Sequence, residues 1–428
     1  MSIALLSPGG GLAKSEAAKL TAPRSAAHLK ICFISETVHS GVGRHIADAI
    51  SALSPRGHEI HLLYSPIRSD AQLLGAIKQQ PNVRCNAVSM PREIGFGDAE
   101  AFNRIRAYVR RMGPFDILHG HSAKGGGYAR LLKLLGVGPV VYTPHAFITQ
   151  SPVLPPMKRF AYRAIETTLG RFADRVICGS QLEREHAREL GIGDERLAVI
   201  PNGIGSIAVP LRETVRRNLG LTDDQIAVGF VGRMDHQKAP ERLVAAACEL
   251  LPAMPNLTFL MIGEGPRRPE LEAMLRSAGL TERVRWLGAI NARHCMPAFD
   301  MLAVSSHYEG FAYVLIEALY AGLPVVSTLV GGTHETIEHG VNGFIAPHGT
   351  SGELAEAIRR IADDPALRHA MGAESRKRAE HFSILGMADA MELLYRRLLA
   401  APQSAAQAPS QHAIETRPAA LESGLETV

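Results

Sequence analysis

The 428-residue chain is 46% hydrophobic and 21% charged, which excludes a wholly disordered polymer and leaves material for two cores of ordinary domain size. Its 46 basic and 42 acidic residues give a net charge of only +4, and aromatics make up 5%. Without a dense basic stripe interleaved with aromatics, a nucleic-acid reader is excluded.

The two ends read alike. Residues 1–28 are rich in Gly, Ala, Ser and Pro, and residues 401–428 repeat that composition with Gln added, so both are expected to be disordered tails. Within the first 20 residues the only apolar stretch is Ile3–Leu6, and no apolar run in the chain reaches the ~18 residues that cross a bilayer. The expectation is a cytoplasmic protein. The five cysteines (Cys32, Cys85, Cys178, Cys248, Cys295) are odd in number and contain no CxxC, so neither disulfides nor a cysteine metal site is expected.

From residue 29 onward, short apolar runs alternate with stretches of helical period. Strands are predicted at Leu29–Ser35, His58–Ser65, Val83–Met90, Asp116–His121, Val140–His145 and Arg175–Ser180, with a helix over Gly43–Leu53. Near-continuous apolar strands alternating with helices are the pattern of a doubly wound parallel sheet. Residues 30–200 carry 22 basic and 15 acidic side chains, net +7, against 21 and 26 over residues 201–428. A basic half attracts an anionic membrane surface or a phosphorylated ligand, although a solvated mixed-sign surface gives the same count.

Turn chemistry at Pro201, Asn202 and Gly203 breaks the pattern, which restarts at Ala227–Met234. The second series runs through Leu257–Gly265, Val284–Ala289, Asp300–Ser306, Pro324–Val330 and Phe344–Pro347. Two Rossmann-like domains result, over residues 29–203 and 204–380. A last helix within 381–400 has Met387, Met391, Leu394 and Leu398 at helical spacing and is placed to pack back across either domain.

Open α/β sheets bind ligands beyond the carboxyl ends of their strands. After the first strand, Gly41 and Gly43 open a helix whose amides suit a phosphate, although two glycines also serve backbone geometry alone. His145 closes another strand, a position that a purely structural histidine also takes. Arg233 and Lys238 follow the strand ending at Gly232 and precede a helix near Pro240; two cations there suit a diphosphate, and a solvated basic turn is the alternative. Gly263 and Gly265 form a further turn. In Glu309–Glu317 (EGFAYVLIE), a helix starting near Gly310 would set the two carboxylates about 80° apart on its surface. Phe311, Val314 and Leu315 around them point to a helix buried at a cleft. Gly331 and Gly332 form another loop-to-helix turn suited to a phosphate.

These residues resemble the retaining nucleotide-sugar glycosyltransferases of family 4, with the two-domain GT-B fold, over about residues 29–400. Glu309 and Glu317 match the family's E-x7-E arrangement, and Gly232, Arg233 and Lys238 its GR-x4-K stretch; Gly41, Gly43, His145, Gly263, Gly265, Gly331 and Gly332 fall in the expected order. The resemblance implies an α/β architecture of two Rossmann-like domains facing across a cleft, with a C-terminal crossover helix. It implies that Arg233 and Lys238 bind the donor diphosphate, Glu317 the ribose hydroxyls, and that Glu309 and His145 meet the transferred sugar. Gly310, Phe311, Val314 and Leu315 would complete the donor site. Ala312, Ala239 and His334 depart from residues common in the family (Gly, Gly and Pro). Residues 38–58 and Thr149–Arg159 (TQSPVLPPMKR) resemble its exopolysaccharide-assembly members, which implies a glycan or lipid-linked acceptor at the inner face of the membrane. No D-x-D triplet occurs, so no metal and no other cofactor is expected. The alternatives are a sugar-nucleotide epimerase on the same architecture and a sugar-nucleotide-binding protein without turnover.

Overall fold

A computed structural model describes residues 28–91, 95–205 and 210–400. The expected tails lie outside the described residues, apart from His28. Two all-parallel sheets carry the chain. The first contains β1 (Lys30–Ser35), β2 (Glu59–Tyr64), β3 (Val83–Ala87), β4 (Ile117–His121), β5 (Val140–Thr143), β6 (Arg175–Cys178) and β7 (Leu197–Val199), in the order β3-β2-β1-β4-β5-β6-β7. The second contains β8 (Ile226–Val231), β9 (Leu257–Ile262), β10 (Val284–Gly288), β11 (Met301–Val304), β12 (Val325–Thr328) and β13 (Gly343–Ala346), in the order β10-β9-β8-β11-β12-β13.

The strands are apolar runs because helices cover both faces, leaving β1, β8 and β9 almost wholly buried. Close helix packing needs small residues. A Cβ on Gly125, in the helix Ser122–Leu134, would strike the Ile34 carbonyl of β1, and one on Gly126 would strike the Tyr142 ring of β5. The predicted strands are present, most of them trimmed, with β8 and β13 starting one residue earlier than predicted. β5 stops at Thr143 because His145 and Ala146 take left-handed φ of 58° and 79°, which a strand does not tolerate. The segment read as a break, Leu197–Gly203, first contributes the short strand β7.

The helix Ile384–Ala400 returns to the first domain. Its Met387, Ala388, Met391 and Tyr395 are buried with Ile46 and Ile50 of the helix Ser40–Leu53, and each large apolar side chain so buried contributes about 1.5–3 kcal/mol. At the crossing, Ile204 N–H donates to Phe382 O (2.8 Å) and Ile384 N–H to Ile204 O (3.3 Å), so the chain passes between the domains along two paired segments. Among the described residues, no helix is long and apolar enough to cross a membrane.

Candidate active site

Each sheet reverses its winding direction once, between β1 and β4 and between β8 and β11. Ligand crevices form at such points, and here the two meet around one cavity of about 530 Å³ lined by both domains. Register brings the loops together: Ser35 at the end of β1 is level with Tyr64 of β2 and His121 of β4.

On the second-domain wall, β8 delivers Gly232 and Arg233, and β11 leads to Glu309. Lys238 Nζ lies 2.7 Å from Glu309 Oε1, which also accepts from Ser306 Oγ at 2.7 Å. Arg233 pairs with Asp235 at 2.9 Å and donates to Gln237 at 3.2 Å, with its side chain 56% exposed. Both cations therefore already have anionic partners, for which a diphosphate would have to compete. Ala239 sits at φ 44°, ψ 51° just before the helix Pro240–Leu250. That left-handed conformation favours the glycine common at this position in the family the sequence resembles.

The helix after Glu309 spans Tyr313–Ala321, not from Gly310, so the 80° separation on a shared helix does not hold. Glu309 stands in the loop and Glu317 in the helix, and the cavity nevertheless touches both. Glu317 Oε1 accepts from Arg293 Nε at 2.6 Å. Arg44 and Asp48 of the first domain pair at 2.7 Å, and their charges bear on Glu317 and Arg293. Half-buried Tyr313 lies in the same field, and its buried hydroxyl lacks a partner among the described residues.

Gly41, Gly310, Phe311 and Val314 also line the cavity. Gly43, Gly263, Gly265, Leu315, Gly331 and Gly332 do not. Leu315 is fully buried in the second-domain core. A Cβ on Gly43 would strike the Val38 backbone, on Gly263 the Gly232 carbonyl, on Gly265 the Met234 carbonyl, and on Gly331 the carbonyls of Glu309 and Gly310. These glycines shape the turns beneath the wall. Gly332, at φ 93°, precedes a single helical turn, Thr333–Thr336, too short for the dipole expected of a helix there.

The first-domain wall holds residues the sequence reading missed. His45, on the helix Ser40–Leu53, has Nδ1 2.9 Å from Asn202 Oδ1. Asn202 Nδ2 donates to Phe311 O at 3.2 Å, so its Oδ1 faces His45 and His45 Nδ1 carries the proton. His121 Nδ1 lies 3.1 Å from His145 Nε2, and one ring nitrogen each of His45, His121 and His145 lie within 4.8 Å of one another. Loss of hydration holds all three imidazoles below the usual histidine pKa, His45 down to about 4. His119 is saturated by Tyr395 and Thr143 at 2.7 and 2.8 Å and is a core histidine. The strand-end rule that selected His145 applies equally to His121, the last residue of β4.

The walls are tied together. Ser180 Oγ donates to Gly310 O at 2.7 Å, and Gln181 N–H to Glu335 Oε1 at 2.7 Å. Buried Glu183 accepts from the amides of Ala146 (2.6 Å) and Gly179 (2.7 Å), fixing the His145 loop. Burial raises its pKa to about 7, against the lowering effect of those two bonds.

Residues 40–203 match the family described as Glycosyl transferase 4-like domain, and residues 212–378 that described as Glycosyl transferases group 1. The chain is 30% identical over 371 residues to a D-inositol 3-phosphate glycosyltransferase of Actinosynnema mirum, covering 80% of this chain and 88% of that protein. It is 32% identical over 238 residues to a 2-deoxystreptamine glucosyltransferase of Streptomyces kanamyceticus, covering 53% and 59%. In structure it is similar to Anabaena HepE, solved in complex with UDP and glucose, with a TM-score of 0.75 at 22% identity over 86% of this chain and 100% of that one. Sucrose-phosphate synthase from Thermosynechococcus elongatus gives a TM-score of 0.77 at 24% identity over 87% and 100%. The chain belongs to the glycosyltransferases of the family 4 type, with the GT-B fold.

Proposed function

We propose that this glycosyltransferase takes its sugar from a nucleoside-diphosphate sugar, a UDP-sugar first among them, and passes it with retention to a glycan or lipid-linked acceptor in exopolysaccharide or cell-envelope polysaccharide assembly. The observation that carries the reading is the Lys238–Glu309 pair, with Arg233 beside it, in one cavity with His145. Departure of a nucleoside diphosphate builds negative charge on its terminal phosphate. Arg233 offers a planar fork and Lys238 a compact charge to that phosphate, and the amides at Ser40 and Gly41 open a 14-residue helix toward the same cavity.

On donor binding Lys238 shares its charge between phosphate and Glu309, while Ser306 keeps the Glu309 carboxylate oriented toward the sugar. Glu317 accepts from the ribose hydroxyls, and His145 from a sugar hydroxyl. The acceptor oxygen attacks the face from which the diphosphate leaves, and the leaving phosphate oxygen takes its proton. Fixed cations do this work without a divalent ion, and the clasped domains exclude water that would hydrolyse the donor.

A second acceptor class has its own support. Two of the relatives named above carry D-inositol 3-phosphate and 2-deoxystreptamine in their names, and Arg44, Arg68 and His39 line the first-domain side of the cavity, a set suited to an acceptor phosphate.

Peripheral contact with an anionic membrane is supported by the helix Pro156–Gly170. There Met157 and Phe160 are 80% and 72% exposed, next to the cations Lys158 and Arg163.

A screen of the purified chain against UDP-, GDP- and ADP-sugars, scored by thermal shift and nucleotide release, tests the donor. A UDP-sugar should raise the melting temperature and release UDP once an acceptor is supplied. No response to any nucleotide sugar would overturn the reading.

A further inference from the structure

We infer that His45, His121 and His145 form a binding site for one divalent transition-metal ion of the zinc class, and that loading this site blocks sugar transfer. Three observations converge. First, one nitrogen from each ring lies within 4.8 Å of the others, and His121 Nδ1 and His145 Nε2 are 3.1 Å apart. Four-coordinate zinc with Zn–N bonds of about 2.0–2.1 Å sets its ligands about 3.3 Å apart. The tightest pair is already near that spacing, and the third ring closes by at most roughly 1.5 Å, within reach of a side-chain rotation.

Second, the protonation pattern is right. Asn202 is oriented by the Phe311 carbonyl and fixes the His45 proton on Nδ1. His45 Nε2 is left as a bare lone pair. It is buried and has no partner among the described residues; His121 would ligate through Nδ1, which places its own proton on Nε2 in the metal-bound form. An unpaired buried nitrogen costs stability unless something else binds it, and an amide oxygen holding the far side of a metal-bound imidazole is the usual supporting arrangement.

Third, His45 and His145 open onto the cleft, which supplies both an entry path and a free coordination position. Imidazoles without carboxylate or thiolate suit zinc, cobalt, nickel or copper and not magnesium or calcium. The block on transfer rests on the reading that His145 meets the donor sugar. The binding itself does not.

The test uses the full chain after EDTA treatment and gel filtration, titrated with Co²⁺ and followed by its visible d–d absorption, and with Zn²⁺ by calorimetry. One ion per chain is expected, with a low-coordinate cobalt spectrum. His45→Ala and His121→Ala should abolish that stoichiometric binding, and Asn202→Ala should weaken it roughly 10- to 100-fold. Circular dichroism checks folding; if His121→Ala does not fold, His45→Gln decides. No binding, or unchanged binding in His45→Ala or His45→Gln, would overturn the site. Stoichiometric zinc should also stop turnover, with recovery on adding chelator. Binding with transfer unimpaired would overturn the block and, with it, the role given to His145, leaving the donor reading to the nucleotide-release assay.

Discussion

Lys238 and Glu309 are 71 residues apart in sequence and 2.7 Å apart in the cleft, with Glu309 only 7% exposed. The pair neutralises a buried carboxylate, and on the proposed reading it also holds a cation where the leaving phosphate develops charge. Lys238→Ala should therefore lower kcat about a hundred- to a thousand-fold. It should also destabilise the fold by about 1–3 kcal/mol, because the carboxylate is left without its counterion at a site still partly reached by water. Steady-state kinetics and urea unfolding measure the two effects. A stable, fully active variant would remove Lys238 from both roles.

Glu309→Gln and His145→Ala should each lose far more turnover than donor affinity, since both are assigned to the sugar and not to the nucleotide. Kinetics set beside direct nucleotide titration separate the two quantities. Near wild-type turnover in Glu309→Gln would show its assignment to be wrong.

Glu317→Ala should behave in the opposite way. Losing a charged hydrogen bond to a ribose hydroxyl costs about 1.5–3 kcal/mol, which weakens nucleotide binding roughly 10- to 100-fold while kcat at saturation changes little. Because Arg293 loses its 2.6 Å partner in the same variant, Glu317→Gln is the cleaner comparison. Calorimetric titration with UDP gives the affinity directly.

The sequence made the strands and the strand-end residues legible, since parallel strands covered by helices read as unbroken apolar runs and ligand groups follow them. It did not reveal which side chains pair across distance. His45 and Asn202 are 157 residues apart and are joined only by the folding of the first domain, and Gln181 and Glu335 are 154 apart and are joined only by the closed arrangement of the two domains. Element ends failed where tertiary packing overrode local pattern. The helix begins at Tyr313, after an extended Ala312 (φ −74°, ψ 113°), and Gly310 stands in the loop before it, pressed so closely on the Ala146 amide and Glu183 that no Cβ fits there. The glycines carried an ambiguous signal for the same reason: Gly41 lines the cavity while Gly43, two residues on, exists to clear the Val38 backbone.

Stability should fall as pH drops from 8 to 6. His45, His119, His121 and His145 have folded pKa values below the unfolded 6.5, so their contribution is present above 6.5 and is lost on acidification, by about 0.8 kcal/mol each at pH 6. Glu183 works the other way. Its pKa is raised to about 7, so its contribution is complete below its unfolded value, fades as pH rises through 7, and returns about 1 kcal/mol between pH 8 and 6. Four imidazoles outweigh one carboxyl. Glu183→Gln should deepen the acid-side loss of stability by about that 1 kcal/mol, read as a larger fall in melting temperature; a smaller fall would reverse the assigned sign.

The exposed Met157 and Phe160 with Lys158 and Arg163 predict binding to anionic vesicles that weakens with salt, each cation near the surface contributing about 1 kcal/mol. Flotation with anionic and neutral vesicles at low and high salt measures it. Phe160→Ser and Lys158→Glu, both outside the cavity wall, should lower vesicle binding and leave transfer to a water-soluble acceptor intact. Equal binding to both vesicle types would count against the electrostatic account.

Transfer should survive removal of metal. A divalent ion in a glycosyltransferase neutralises the diphosphate, and it is commonly held by closely spaced Asp residues, which this chain lacks as a D-x-D triplet. Arg233 and Lys238 supply two fixed positive charges at the end of β8, and the 14-residue helix opening at Ser40 adds a partial one. The four-residue turn at Thr333 contributes less than a full helix would. Since Glu309 and Asp235 already claim part of the two cations, the donor must compete for them, and turnover should fall as salt screens that exchange. Donor consumption measured with acceptor after exhaustive EDTA treatment should match the untreated rate, or exceed it where zinc had occupied the histidine cluster. A rate abolished by EDTA and restored by magnesium or manganese would sink the metal-free mechanism, because neither ion is one the three imidazoles would hold.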